Sequence, residues 1–140
     1  MSELPTHLDR TAPARRASVY VEGFNHKNPI PAGCRVGPLV ESGSIQGNDP
    51  ATGKPADTIE QQCRYMLDNV RRIIAAAGGE LQDIVKLTVW MKDRNQRPAL
   101  NVVWLEMFPD PQSRPARHTI IASELDMGKL IECSFTAWIA

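Results

Sequence analysis

The sequence predicts an α+β sandwich, with two helices stacked on one face of a sheet. Five segments alternate apolar and polar residues or are rich in β-branched ones, and two others carry apolar residues at helical spacing. Their order is strand, strand, helix, strand, helix, strand, strand, which such a sandwich satisfies best. At 140 residues the chain fits one domain, able to bury a core and too short for a second, cofactor-carrying domain.

Residues 1–16 hold Pro5, Pro13 and scattered charge with no apolar period, and read as an N-terminal arm outside the core. In 17–23, ASVYVEG, Val19 and Val21 alternate with Ser18, Tyr20 and Glu22, as in a half-buried strand. NHKNPIPAG then interrupts it with two prolines and a glycine. Residues 36–47, VGPLVESGSIQG, read as one strand with Pro38 near its start, and the turn-rich GNDPATGKPAD follows.

The period changes in 57–79. Ile59, Cys63, Met66, Leu67, Val70, Ile73, Ile74 and Ala77 form a helical stripe, Asp57 or Thr58 offers an N-cap, and Gly78-Gly79 supplies the stop. Residues 83–93, DIVKLTVWMKD, predict a strand. Residues 97–108 return to helical spacing through Leu100, Trp104 and Met107, with Pro98 tolerated in the first turn. Residues 117–122 and 130–139 are the last two strands, flanking the loop SELDMGK. With the helices on one sheet face, the other face needs a cover, so self-association is expected.

Lys plus Arg and Asp plus Glu are 16 each. Without a basic field, nucleic-acid binding is not expected. Cys34, Cys63 and Cys133 are odd in number and widely spaced, so reduced thiols are expected rather than zinc ligands or disulfides. The first residues lack an apolar leader segment, and no window approaches membrane-spanning length. A cytoplasmic protein without membrane contact is the expectation.

Chemistry concentrates in the last two strands. Arg117 and Thr119 share a face that excludes His118 and Ile120; Glu132 and Ser134 share one that excludes Ile131 and Cys133. If the two strands lie close together, Arg117 and Glu132 border one pocket, where the guanidinium can grip a substrate carboxylate. A structural Arg–Glu pair, or two edge charges in solvent, fits the same pattern. Asn101 is a candidate to orient substrate or water, with a solvent-facing helical Asn fitting equally well, and His26 is an acid–base candidate with more support than His7 or His118. There is no Ser/His/Asp order, P-loop or GxGxxG, so no cofactor and no metal is expected.

These segments together resemble the Rid proteins, also called the YjgF family, from about Asn28 to Ala140. ESGSI is similar to the family's SGQI strand, NDPATGKPAD to its DPxTG loop, and LDNVRRIIAAAG to its long helix. DIVKLTVWMKD with Asn101, RPARHT and LIECSFTAWI are similar to its central strand, PAR motif and final strand.

The resemblance implies a chorismate-mutase-like α+β subunit, a homotrimer, and a site in each cleft between neighbours. It implies cofactor-free hydrolytic deamination of a small carboxylate-bearing imine or enamine, of the 2-imino acid class, to a 2-keto acid and ammonia. Arg117 matches the family's carboxylate clamp and Glu132 the residue that positions the attacking water. Asn101, Thr119, Ser42 and Gly43 match further pocket positions. Two alternatives stand beside this reading: a trimer that binds a metabolite in those clefts without turnover, and a deaminase of a catabolic enamine such as 2-aminomuconate. Relatives are also labelled translation-inhibiting ribonucleases, but the neutral charge and the lack of a His/Lys acid–base pair argue against that here.

Four departures surround the pocket. HKNPIPAG supplies no counterpart to the tyrosine of the family's GPYSQ segment, so His26 is a candidate to fill that space. Thr119 stands for a common cysteine, Ser134 for a second glutamate and Ser44 for glutamine.

Overall fold

The computed structural model describes residues 15–24 and 27–140; His26 and nearly all of the N-terminal arm lie outside them. Its strands are β1 (Ala17–Val19), β2 (Gly33–Val36), β3 (Leu39–Ser42), β4 (Ile45–Gln46), β5 (Ile84–Met91), β6 (Ala116–Ile121) and β7 (Ile131–Trp138). The helices are α1 (Ile59–Ala76) and α2 (Arg97–Met107), and short 3-10 turns precede β5 and α2. One mixed sheet runs β1-β2-β3-β7-β5-β6, with β4 also paired to β7. All its pairings are antiparallel except β5 with β6, which α2 joins as a crossover.

The helical stripe of α1 is buried as predicted, from Ile59 through Cys63, Met66, Leu67 and Val70 to Ile73 and Ile74. Thr58 is the N-cap, its hydroxyl accepting the Gln61 N–H, and Gly78 turns the chain out at φ 90°. Gln62 is also buried, which apolar periodicity does not reveal. Its Nε2 donates to the Ala56 and Gly128 carbonyls, each at 2.8 Å, and its Oε1 accepts the Leu130 N–H at 2.9 Å. One side chain thus ties α1 to the loops before it and before β7.

The helices cover the sheet face formed by Val40, Leu87, Val89, Met91, Ile131, Cys133, Phe135 and Ala137. β4 approaches α1 so closely that a Cβ on Gly47 would land on the Gln62 backbone carbonyl. The opposite face carries the alternate residues. Trp90, Glu132 and Ile120 are half-buried there, while Val36, Leu39 and Trp138 are exposed.

The single strand predicted over 36–47 is corrected. Residue 36 ends β2, Gly37 and Pro38 form a two-residue hairpin loop with Gly37 at φ 56°, and Val36 pairs directly with Leu39. A proline near a strand start hid the turn, because Gly-Pro suits both readings. A bulge then separates β3 from β4. Between the pairs Glu41–Thr136 and Ile45–Cys133, residues 42–44 on one strand face only 134–135 on the other.

Candidate active site

β6 is an edge strand parallel to β5, in register Leu87–Arg117 and Val89–Thr119. Arg117 and Thr119 therefore share the helix-covered face with the buried Leu87 and Val89. At the sheet edge Arg117 meets α2 rather than the core. Its Nη2 donates to Asn101 Oδ1 at 2.8 Å, and its guanidinium carbon lies 4.9 Å from the centre of the Trp104 ring, a cation–π stack.

Nη1 is closed off from solvent and has no acceptor among the described residues. Burial, and then the neighbouring charge of Arg97, lower the pKa of Arg117 from its ordinary value, with Cys63 opposing. The guanidinium stays charged regardless. It is a cation held by a neutral amide and an aromatic ring, without an acidic partner among the described residues.

Glu132 belongs to the other face. β7 pairs with β5 in register Trp90–Glu132, three residues along from Leu87, so Glu132 and Trp90 point away from the helices. The pocket expected if the two strands lay close together is thus corrected within one chain. β5 intervenes between β6 and β7, and Arg117 and Glu132 emerge from opposite faces.

Gln46 pairs with Glu132 across β4 and β7 and donates to its Oε2 at 3.3 Å. Asn69 of α1 donates to the Gln46 carbonyl at 3.0 Å and anchors that strand. Sequence reasoning missed Gln46, because only the bulge brings it opposite Glu132.

Ser42 and Gly43 build the bulge. The Ser42 hydroxyl accepts the Phe135 N–H at 2.8 Å and donates to the Gly43 carbonyl at 2.9 Å; the Gly43 N–H donates to the Ala32 carbonyl at 2.9 Å. Ser42 thus serves the sheet, while exposed Gly43, with Gln46, Phe24, Tyr65 and Arg72, lines a cleft of about 490 Å³. The chain therefore displays two separate polar groups: Arg117 with Asn101 at α2, Thr119 following on the same strand face, and Glu132 with Gln46 on the open sheet face.

No described helix is long and apolar enough to cross a membrane. Among the described residues, no group of three or more His, Cys, Asp or Glu side chains is placed to hold a metal.

A family model described as endoribonuclease L-PSP matches residues 34–139. A curated 2-iminobutanoate/2-iminopropanoate deaminase of Escherichia coli is 34% identical over 114 residues, covering 81% of each chain. A RutC family protein of Pyrococcus abyssi is 33% identical over 121 residues, covering 82% of this chain and 94% of its own. The solved YjgF gene product of Escherichia coli superimposes with a TM-score of 0.79 at 28% identity, over 87% of this chain and 98% of that one.

Proposed function

The chain belongs to the endoribonuclease L-PSP family, that of the Rid/YjgF proteins, and on that premise we propose that it hydrolyses a small imine or enamine bearing a carboxylate, of the 2-imino acid class, to the 2-keto acid and ammonia. The observation that carries the reading is Arg117, a half-buried guanidinium with an unsatisfied donor, positioned by Asn101 and without an acidic partner among the described residues. A substrate carboxylate supplies that missing counter-charge in a charge-assisted hydrogen bond.

Arg117 holds the substrate carboxylate, Asn101 and Thr119 border it, and Glu132 takes a proton from water as the oxygen bonds to the C=N carbon. That proton passes to nitrogen. In the resulting carbinolamine the hydroxyl gives up its proton and the amino nitrogen gains one, with Glu132 as the relay; the C–N bond then breaks, ammonia leaves and C=O forms. In this scheme Gln46 orients the Glu132 carboxylate.

Arg117 and Glu132 lie on opposite faces of one sheet, so both reach one substrate only where two copies of the chain meet. We assign the site to the cleft between copies in a homotrimer. The exposed Val36, Leu39 and Trp138 on the open face support such an assembly. The neutral, reduced-thiol chain suits a cytoplasmic setting.

The test generates 2-imino acids in situ with an amino-acid oxidase and follows their decay against a semicarbazide trap. Faster loss than in buffer, abolished by Arg117→Ala, is expected. No acceleration for any carboxylated imine overturns the reading, leaving the alternative of binding without turnover.

A further inference from the structure

Arg97 is the first residue of α2, and Asn101 lies four residues on, one turn along the same helix face. Asn101 in turn holds Nη2 of Arg117 at 2.8 Å. The two arginines therefore flank one amide. Both are without a carboxylate partner among the described residues, where the ion pair found is Arg64 with Glu106 on the far side of α2.

The first turn of α2 carries no acidic residue, so the partial positive charge of its N-terminus is uncompensated as well. Like charges on one helix face and its neighbour disfavour one another; burial is the main cause that lowers the pKa of Arg117, and the field of Arg97 adds to it. An anion between or beside them relieves that repulsion. A monocarboxylate held by Arg117 satisfies only one.

We propose that Arg97 makes the site selective for imines that carry a second carboxylate, a 2-imino dicarboxylate whose distal group pairs with Arg97 while its C1 carboxylate pairs with Arg117. The assignment rests on the deaminase reading above and specifies its substrate class. The ligand needs a chain of about four or five carbons, because its two carboxylates must reach across one helical turn, roughly 5–6 Å. Arg97 is exposed, and its long side chain has the rotamer freedom to turn onto the distal carboxylate.

The experiment compares kcat/KM for imines made in situ from aspartate or glutamate with that for the imine made from alanine, in the wild type, Arg97→Gln and Arg97→Lys. The wild type is expected to favour the dicarboxylates, and Arg97→Gln to reduce that preference about tenfold or more, with Arg97→Lys in between. An unchanged ratio in Arg97→Gln overturns the proposal. If no imine is hydrolysed at all, the deaminase reading fails, and calorimetry with 2-oxoglutarate and pyruvate decides the Arg97 assignment by itself. Tighter binding of the dicarboxylate in the wild type, lost in Arg97→Gln, sustains it; equal affinities for the two acids sink it.

Discussion

Arg117 and Glu132 flank β5 on strands two positions apart, and their side chains leave the sheet on opposite faces. Their strand axes are about 9–10 Å apart, and the pleat adds the full thickness of the sheet between the charged groups. A single chain cannot close both on one small substrate. This relationship makes assembly part of the proposed chemistry.

A subunit-mixing experiment follows. Arg117→Ala and Glu132→Gln homo-oligomers should each be inactive, yet co-refolded in equal amounts they should regain about a quarter of wild-type activity. Random mixing gives about one interface in four with an intact arginine on one side and an intact glutamate on the other. Zero recovery, with mixed oligomers demonstrated by mass spectrometry, would overturn the assignment of Arg117 and Glu132 to one shared cleft.

Gly47, just past β4, packs against α1, and Gly47→Ala puts a methyl on the Gln62 carbonyl, a backbone atom that cannot swing away. The expected cost is about 1–3 kcal/mol or more of stability, read as a lower urea midpoint. At Gly53, φ 71°, a Cβ meets nothing within 4 Å, so Gly53→Ala isolates the left-handed backbone cost alone, about 1–2 kcal/mol.

Gln62→Leu keeps the volume and removes three hydrogen bonds. The Leu130 N–H and the Ala56 and Gly128 carbonyls lose their partner, at about 1–3 kcal/mol for each group that water cannot reach. Chemical denaturation should show a loss exceeding that of an exposed control such as Gln82→Leu. Loss confined to the control's level would mean that the loops before α1 and β7 re-pair without it.

Burial pushes the Cys63 thiol up to about 12, with Glu60 adding to the effect, and raises Cys133 as well. Below their ordinary value of about 9 both folded and unfolded chains keep these protons, and the thiols leave stability unchanged. Above it the unfolded chain ionises first and unfolding releases protons, so stability falls as pH rises. The slope is about 1.4 kcal/mol per pH unit for each thiol. Urea midpoints between pH 8 and 10.5 should drop less in Cys63→Ala/Cys133→Ala than in the wild type. Equal drops would mean that other groups dominate the alkaline limb.

The residues of the candidate site were legible as candidates because their signals are local. Alternation marked Arg117 and Glu132 as polar residues on otherwise buried-looking strands, and the resemblance, through the PAR run, Asn101 and the final strand, gave them roles. Gln46 and Gln62 were not legible: each is a polar residue in a polar-looking stretch, and its role comes from a bulge register or from loops far along the chain.

By itself the sequence determined the two helices, the strands that became β5, β6 and β7, the buried stripe of α1 and the residue types that carry charge, since those follow from each residue and its near neighbours. It could not decide the Gly37–Pro38 hairpin or the strand between β6 and β7. Alternation assigns a side chain to one of two faces of its own strand; which face is shared with another strand depends on pairing between distant segments. Only the tertiary structure, by inserting β5 and setting its register with both neighbours, put Arg117 under α2 and Glu132 on the open face.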